Sequence, residues 1–209
     1  MKATQQLKDE HEGIKIMLSI MEKISNDLEK GKDMNMEHYA KIIEFIKGFA
    51  DKCHHGKEED ILFPAMINHG IPKEGGPIAV MLNEHQLGRG YIKSLSRAFE
   101  EFKDGNKLAI NNIISSSMNY VELLRNHIEK ENNVLFMLAD KALNETEQSK
   151  IFDAFEKLEV EKIGIGKHEE YHHLLKELKK VFIYIKKEVY YENKIDFNYF
   201  IGNDVCLTC

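Results

Sequence analysis

Residues 54–63 read HHGKEEDILF and residues 127–136 read HIEKENNVLF. His, Lys, Glu, Leu and Phe recur at identical offsets, and Ile61 is matched by Val134. A Glu-His pair lies upstream of each copy, Glu10-His11 and Glu84-His85. His11 precedes His54 by 43 positions and His85 precedes His127 by 42. The chain therefore reads as two helical hairpins of one design. The repeat also decides a register. His54/Glu58 and His55/Glu59 both have the i, i+4 spacing that puts two side chains on one helical face. In the second copy Ile128 and Asn132 replace the alternates, so His54 and Glu58 are the inward pair; His55 and Glu59 are expected to point toward a neighbouring surface or to stand behind the ligands, with a place as additional metal ligands the lesser alternative.

Apolar residues recur at threes and fours through most of the chain, the period of helices with one buried stripe. Leu7, Ile14, Leu18, Met21 and Leu28 mark a first helix over 5–28, with His11 on its stripe. Ile42, Ile46, Ala50, Ile61 and Ala65 mark a second over 37–67. Pro77 opens a third, where its missing N–H has no partner to lose, and Ile78, Leu82, Ile92, Leu95, Phe99 and Phe102 continue it past His85. A fourth over 108–143 turns Ile113, Val121, Leu124, Val134 and Leu138 inward. Short loops between long helices predict an all-α chain, an up-down-up-down antiparallel four-helix bundle. Two additional C-terminal helices follow. Asn144 caps a segment to about Glu161, and KIGIG breaks the chain before a last helix over 167–187 with Leu174, Leu175, Leu178, Phe182 and Ile185 inward. The expected division is 1–143 for the bundle, 144–190 for a helical extension packed on it and 191–209 for a tail ending in Cys206-x-x-Cys209. Three prolines in 209 residues agree with helices rather than sheet.

The inward polar residues are His11, His54, Glu58, His85, His127 and Glu131. A single His on an apolar stripe is ordinarily a hydrogen-bonded core residue. Four imidazoles and two carboxylates converging from four helices are another matter, because burying them costs too much without a compensating positive charge. A pair of divalent metals supplies it, each taking two His, with Glu58 and Glu131 bridging. Mixed nitrogen and oxygen ligation with open positions suits non-haem iron better than a closed zinc site. Met17, Met21, Met66, Met81 and Met137 read as core filler, Met81 facing the site one turn before His85. Cys53 reads as a packing residue.

HHGKEEDILFPAM, GGPIAVMLNEHQLGR and RNHIEKENNVLF together resemble the hemerythrin-like (HHE cation-binding) family over about residues 3–140. The resemblance implies a four-helix bundle around two iron ions bridged by carboxylates and an oxo or hydroxo group, with His11, His54, Glu58, His85, His127 and Glu131 as ligands. Oxygen-carrying members have a second histidine one turn away on the third helix and an Asp on the fourth. Here those positions are Met81 or Arg89 and Glu131, so one imidazole is missing. This is similar to the branch of di-iron proteins in nitrosative-stress response, iron–sulfur cluster repair and iron sensing, without the N-terminal cysteine-bearing domain of typical repair proteins. His168 and His172, at i, i+4 in GKHEEYHHLLKEL, offer a further ligand or a cap on the site, with Tyr171 a weaker choice.

The net charge of −6, with no basic run longer than two, gives no footprint for nucleic acid or an anionic membrane. No stretch reads as a signal peptide or membrane span, and the three cysteines form no disulfide framework, so the chain is expected in the cytoplasm as a monomer or homodimer. The expected function is binding of O2 or a related small oxidant, NO or peroxide, for oxygen or redox sensing or handling. The competing reading is a di-iron redox enzyme: a peroxidase, an NO reductase or a cluster-repair protein.

Overall fold

The computed structural model describes residues 2–184. Ile185, the expected end of the last helix at Lys187, and Cys206 and Cys209 lie outside the described residues. The described chain is helical, without strands. Helix α1 is Ala3–Glu29. α2, Met36–Phe45, runs on through wide π-helical turns at Ile46–His55 and Glu58–Leu62 into α3, Phe63–Asn68. α4 is Pro77–Lys103. α5, Ala109–Lys130, passes through a wide turn at Glu131–Leu135 into α6, Phe136–Ala142. α7 is Glu145–Lys162 and α8 is Lys167–Lys179, prolonged by one wide turn at Lys180–Tyr184. Asn144 caps α7 as expected, in a reciprocal capping box with Glu147. Among the described residues no helix is long and apolar enough to cross a membrane.

The wide turns fall at the same place in both copies of the repeat. Phe63 N–H donates to Glu58 C=O and Phe136 N–H donates to Glu131 C=O, each five residues back. Pro64 follows the first turn, but Met137 holds the equivalent place after the second, so proline is not the cause. Each wide turn inserts one residue into the helical register. Downstream of it the buried stripe moves by one position, to Leu62 and Met66 in one copy and Leu135 and Ala139 in the other. The expected inward set of Ile61, Ala65, Val134 and Leu138 is corrected by this shift. Val134 is 50% exposed and Met137 49%, so neither is core, while Ile61, Ala65 and Leu138 are only partly buried.

Among the described residues the apolar interior is two clusters. One contains Ile14, Ala50, Ile92 and Leu124; the other contains Leu7, Leu62, Met81 and Leu135. On each rod the expected polar residues fall between a member of one cluster and a member of the other: His11 between Leu7 and Ile14, His85 between Met81 and Ile92. The buried polar groups thus form a layer with apolar packing above and below. α1 and α4 both pack on α5, α7 crosses α1 and the wide turns of the second rod, and α8 lies against α1 and α2.

Candidate metal centre

His11, His54, His85, His127, Glu58 and Glu131 are all buried, none more than 1% exposed. Their ligating atoms form two overlapping groups. His11, His54, Glu58 and Glu131 make one, and His55, Glu58, His85 and His127 the other, with all atoms of a group within 4.8 Å of one another. Both carboxylates face both ways. Glu58 Oε1 lies 3.7 Å from His54 Nε2 while Oε2 lies 3.4 Å from His85 Nε2. Glu131 Oε2 lies 3.2 Å from His11 Nε2 while Oε1 lies 3.0 Å from His127 Nε2.

His55 takes the lesser of its expected places, beside the ligands rather than at a surface. It is 3% exposed, its ring is stacked on His85 with centroids 3.9 Å apart, and it belongs to the second group rather than to a surface. The cause is local backbone: Ile46–His55 is underwound, which reduces the angle between successive side chains and lets neighbours His54 and His55 both turn inward. Glu59 takes the supporting place among its expected ones. It accepts a hydrogen bond from His85 Nδ1 at 2.6 Å and pairs with Arg89 at 2.9 Å. His168 and His172 lie together beside Glu159, in neither group.

Each of the four expected imidazoles is held from behind through Nδ1. His54 Nδ1 is 2.8 Å from Glu10, His127 Nδ1 is 2.9 Å from Glu84 and His11 Nδ1 is 2.9 Å from Asn132 Oδ1. With Nδ1–H donated outward, the Nε2 of each neutral imidazole turns a lone pair to the interior, and His85 and His127, whose Nε2 atoms are 3.1 Å apart, share a proton there. Lysines then back the carboxylates: Lys57 on Glu10 at 2.5 Å and Lys130 on Glu84. These residues went unassigned from the sequence, yet their signal was there. Glu10 and Glu84 are the first letters of the repeated Glu-His pairs, and Lys57 and Lys130 are the repeated Lys. Glu59 and Asn132 share the offset after the bridging Glu, and each holds the histidine that precedes the other copy.

The electrostatics show what the layer needs. Burial would raise Glu10, but its hydrogen bond to His54 and the nearby Lys57 hold it down at about 2. Burial would lower His127, but Glu131 and Glu84 raise it to about 10. Burial pushes His55 well below the usual imidazole range, and its neighbours His85, His127 and His54 push the same way. Despite the short approaches, His11 Nε2, His54 Nε2, both nitrogens of His55 and every carboxylate oxygen of Glu58 and Glu131 have no partner with hydrogen-bond geometry. So many inward lone pairs left together in a dry layer fit cations and fit little else. The donors are imidazole and carboxylate, the set suited to a first-row divalent metal.

A search of the curated proteins returns no match. Residues 2–139 match the sequence model of the hemerythrin HHE cation binding domain, which spans the repeat, the first three rods, the fourth as far as the middle of α6 and both groups of ligating atoms, and the chain belongs to that family of helical cation-binding proteins.

Proposed function

We propose that the chain is a non-haem di-iron protein of hemerythrin type that binds O2 or a related small oxidant, NO or peroxide, in oxygen or redox sensing or handling. The observation that carries this is the sharing of Glu58 between two four-residue groups, with the oxygens of Glu131 divided between the same two. One iron would be held by His11, His54, Glu58 and Glu131, and the other by His55, His85, His127, Glu58 and the second oxygen of Glu131. The iron pair would supply electron exchange with the bound oxidant. In this reading α1, the rod over 36–68, α4 and the rod over 109–142 alternate up and down as an antiparallel bundle. Residues 144–190 are its extension, and the protein is cytoplasmic.

The chain's own residues do the rest. Glu10, Glu59, Glu84 and Asn132 fix the imidazole tautomers and make the nitrogens better donors. The two halves differ, because Glu59 behind His85 is charged and Asn132 behind His11 is not. His55 makes good the imidazole missing from the third helix, on the side of His85 and His127. A cavity of about 240 Å³ opens from solvent onto His55 between Ile46, Gly88, Ile92 and Tyr120, with Asp51 and Arg89 at its edge. It is large enough for a diatomic or peroxide and ends at one half only. Elsewhere the apolar clusters keep water from the layer.

Anaerobic reconstitution with Fe²⁺ should give about two irons per chain, with absorption that changes on dithionite and on air. Iron well below that level, or no response to either reagent, sinks the reading. The open cavity also favours the second reading, redox turnover. Anaerobic stopped-flow mixing with O2, H2O2 and NO separates them, since a reversible adduct supports binding and sensing while rapid oxidation with release of product supports an enzyme.

A further inference from the structure

Outside the central layer another group of ligating side chains repeats its construction. On α8, His168 and His172 stand at i, i+4 with their Nε2 atoms 2.7 Å apart. The Nε2 atoms of His85 and His127 face each other in the same way at 3.1 Å. Glu159 Oε1, from α7, is 2.5 Å from His168 Nδ1, on the side from which Glu59 and Glu84 hold His85 and His127, here as an ion-pair approach without hydrogen-bond geometry. Two imidazole nitrogens this close need a proton or a cation between them. The surroundings favour a cation. The pair borders a solvent-open cavity of about 320 Å³ lined by Asp9, Glu10, Glu156, Glu159 and Glu169, with no Lys or Arg in its lining. Buried Cys53 brings a ligating sulfur within 4.8 Å of the Glu159 and His168 atoms.

We propose that His168 and His172 hold a third, exchangeable divalent transition-metal ion through their Nε2 atoms. Glu159 orients His168, and the cavity carboxylates and water fill the remaining positions. Two histidines one turn apart on a helix are a sufficient bidentate grip for such an ion. Imidazole with carboxylate selects the first-row class, Fe²⁺ or Zn²⁺, over Ca²⁺ or Mg²⁺. The site is also tied to the central layer. Glu159 Oε2 accepts from Lys57 at 2.8 Å, Lys57 donates to Glu10 at 2.5 Å, and Glu10 holds His54 at 2.8 Å.

The test uses the full chain, reconstituted with iron, freed of excess metal and titrated with Co²⁺, whose visible d–d bands report nitrogen and oxygen ligation. Wild type should take up about one Co²⁺ per chain at this site, and H168A/H172A about none, with its iron content unchanged. E159Q, which keeps both imidazoles, should weaken Co²⁺ binding about tenfold or more by loosening His168. Equal uptake by wild type and the double variant, or no uptake by wild type, overturns the proposal. Iron is counted separately in the same samples. Failure of the di-iron reading would therefore appear as low iron in every sample, while the cobalt difference still reads this site.

Discussion

Lys57 has no solvent exposure, yet it carries a charge. Its Nζ lies between Glu10 and Glu159, 5.9 Å from the Phe155 ring centroid, and Glu10 raises its pKa against the burial that would lower it. Lys130, its mate in the repeat, pairs with Glu84 but is 42% exposed. The same letter at the same offset should therefore have different energetic weight. K57M leaves two carboxylates without their buried cation and should cost about 3 kcal/mol. K130M leaves Glu84 near water and should cost under about 1 kcal/mol. Urea unfolding of the two metal-free variants at neutral pH measures the difference, and equal losses would show that burial does not set it. The contrast also marks how far single residues can be read from the chain. His54 and Glu58 were legible because a repeat and an apolar stripe agree on them. His55 was legible only as a lesser alternative, because its inward turn goes with an underwound backbone that side-chain periodicity does not encode. Lys57 was visible as a repeated letter, but its second partner, Glu159, comes from α7, far along the chain.

Helices α1 and α4 and the rod over 109–142 start and stop close to where prolines and period put them. Their termini follow local chemistry, and local chemistry is what a sequence displays. The wide turns are different, since no cap or proline shared by the two copies marks them, and a one-residue change of register is enough to move Val134 to the surface and Leu135 inside. Docking of α8 is likewise a tertiary matter. Tyr171 packs edge-on to Phe45 and Phe49 and sits directly over Gly48, where an added Cβ would overlap its hydroxyl. G48A should thus displace Tyr171 and cost about 1–3 kcal/mol, with faster amide exchange along α8. Gly90, inside α4 with open space around it, is the control: G90A should stabilise by up to about 1 kcal/mol. Urea midpoints moving in the same direction would refute the assignment of Gly48 to α8 docking. At the other end, His69 after α3 meets Glu147 in the first turn of α7. The Ala65 carbonyl and then Glu147 raise the His69 pKa. The sign follows: stability from the raised His69 is fully present below about pH 6.5 and is lost as pH rises through the folded-state value. An NMR titration should place His69 above its ordinary value and find it lower in E147Q; no change in E147Q would remove Glu147 as a cause.

Across the whole molecule, the polar layer is where the four rods over residues 3–142 meet, so it couples them all. The extension does not stand apart from this. Ile151 and Phe155 of α7 belong to one apolar cluster, Tyr171, Leu175 and Leu178 of α8 to the other, and Glu159 neutralises Lys57. The boundary at 143 divides the chain by pattern without dividing its core, and a chain ending at Leu143 should unfold at lower urea than the full chain. The larger dependence is on metal. Without it, the inward nitrogens and carboxylate oxygens keep their desolvation cost and gain only the protons they can share. With it, the same atoms hold all four rods to one centre, and binding free energy becomes folding free energy. At free metal about 1,000-fold above its dissociation constant, the gain is about 4 kcal/mol. Chelation should therefore lower the urea and thermal midpoints of the full chain substantially while the far-UV helical signal of the folded form persists, since the two apolar clusters remain packed. H85A, which removes one inward nitrogen, should narrow the gap between loaded and chelated protein more than it shifts the chelated form alone. If loaded and chelated wild type unfold together, the layer is a satisfied polar core and not a metal centre.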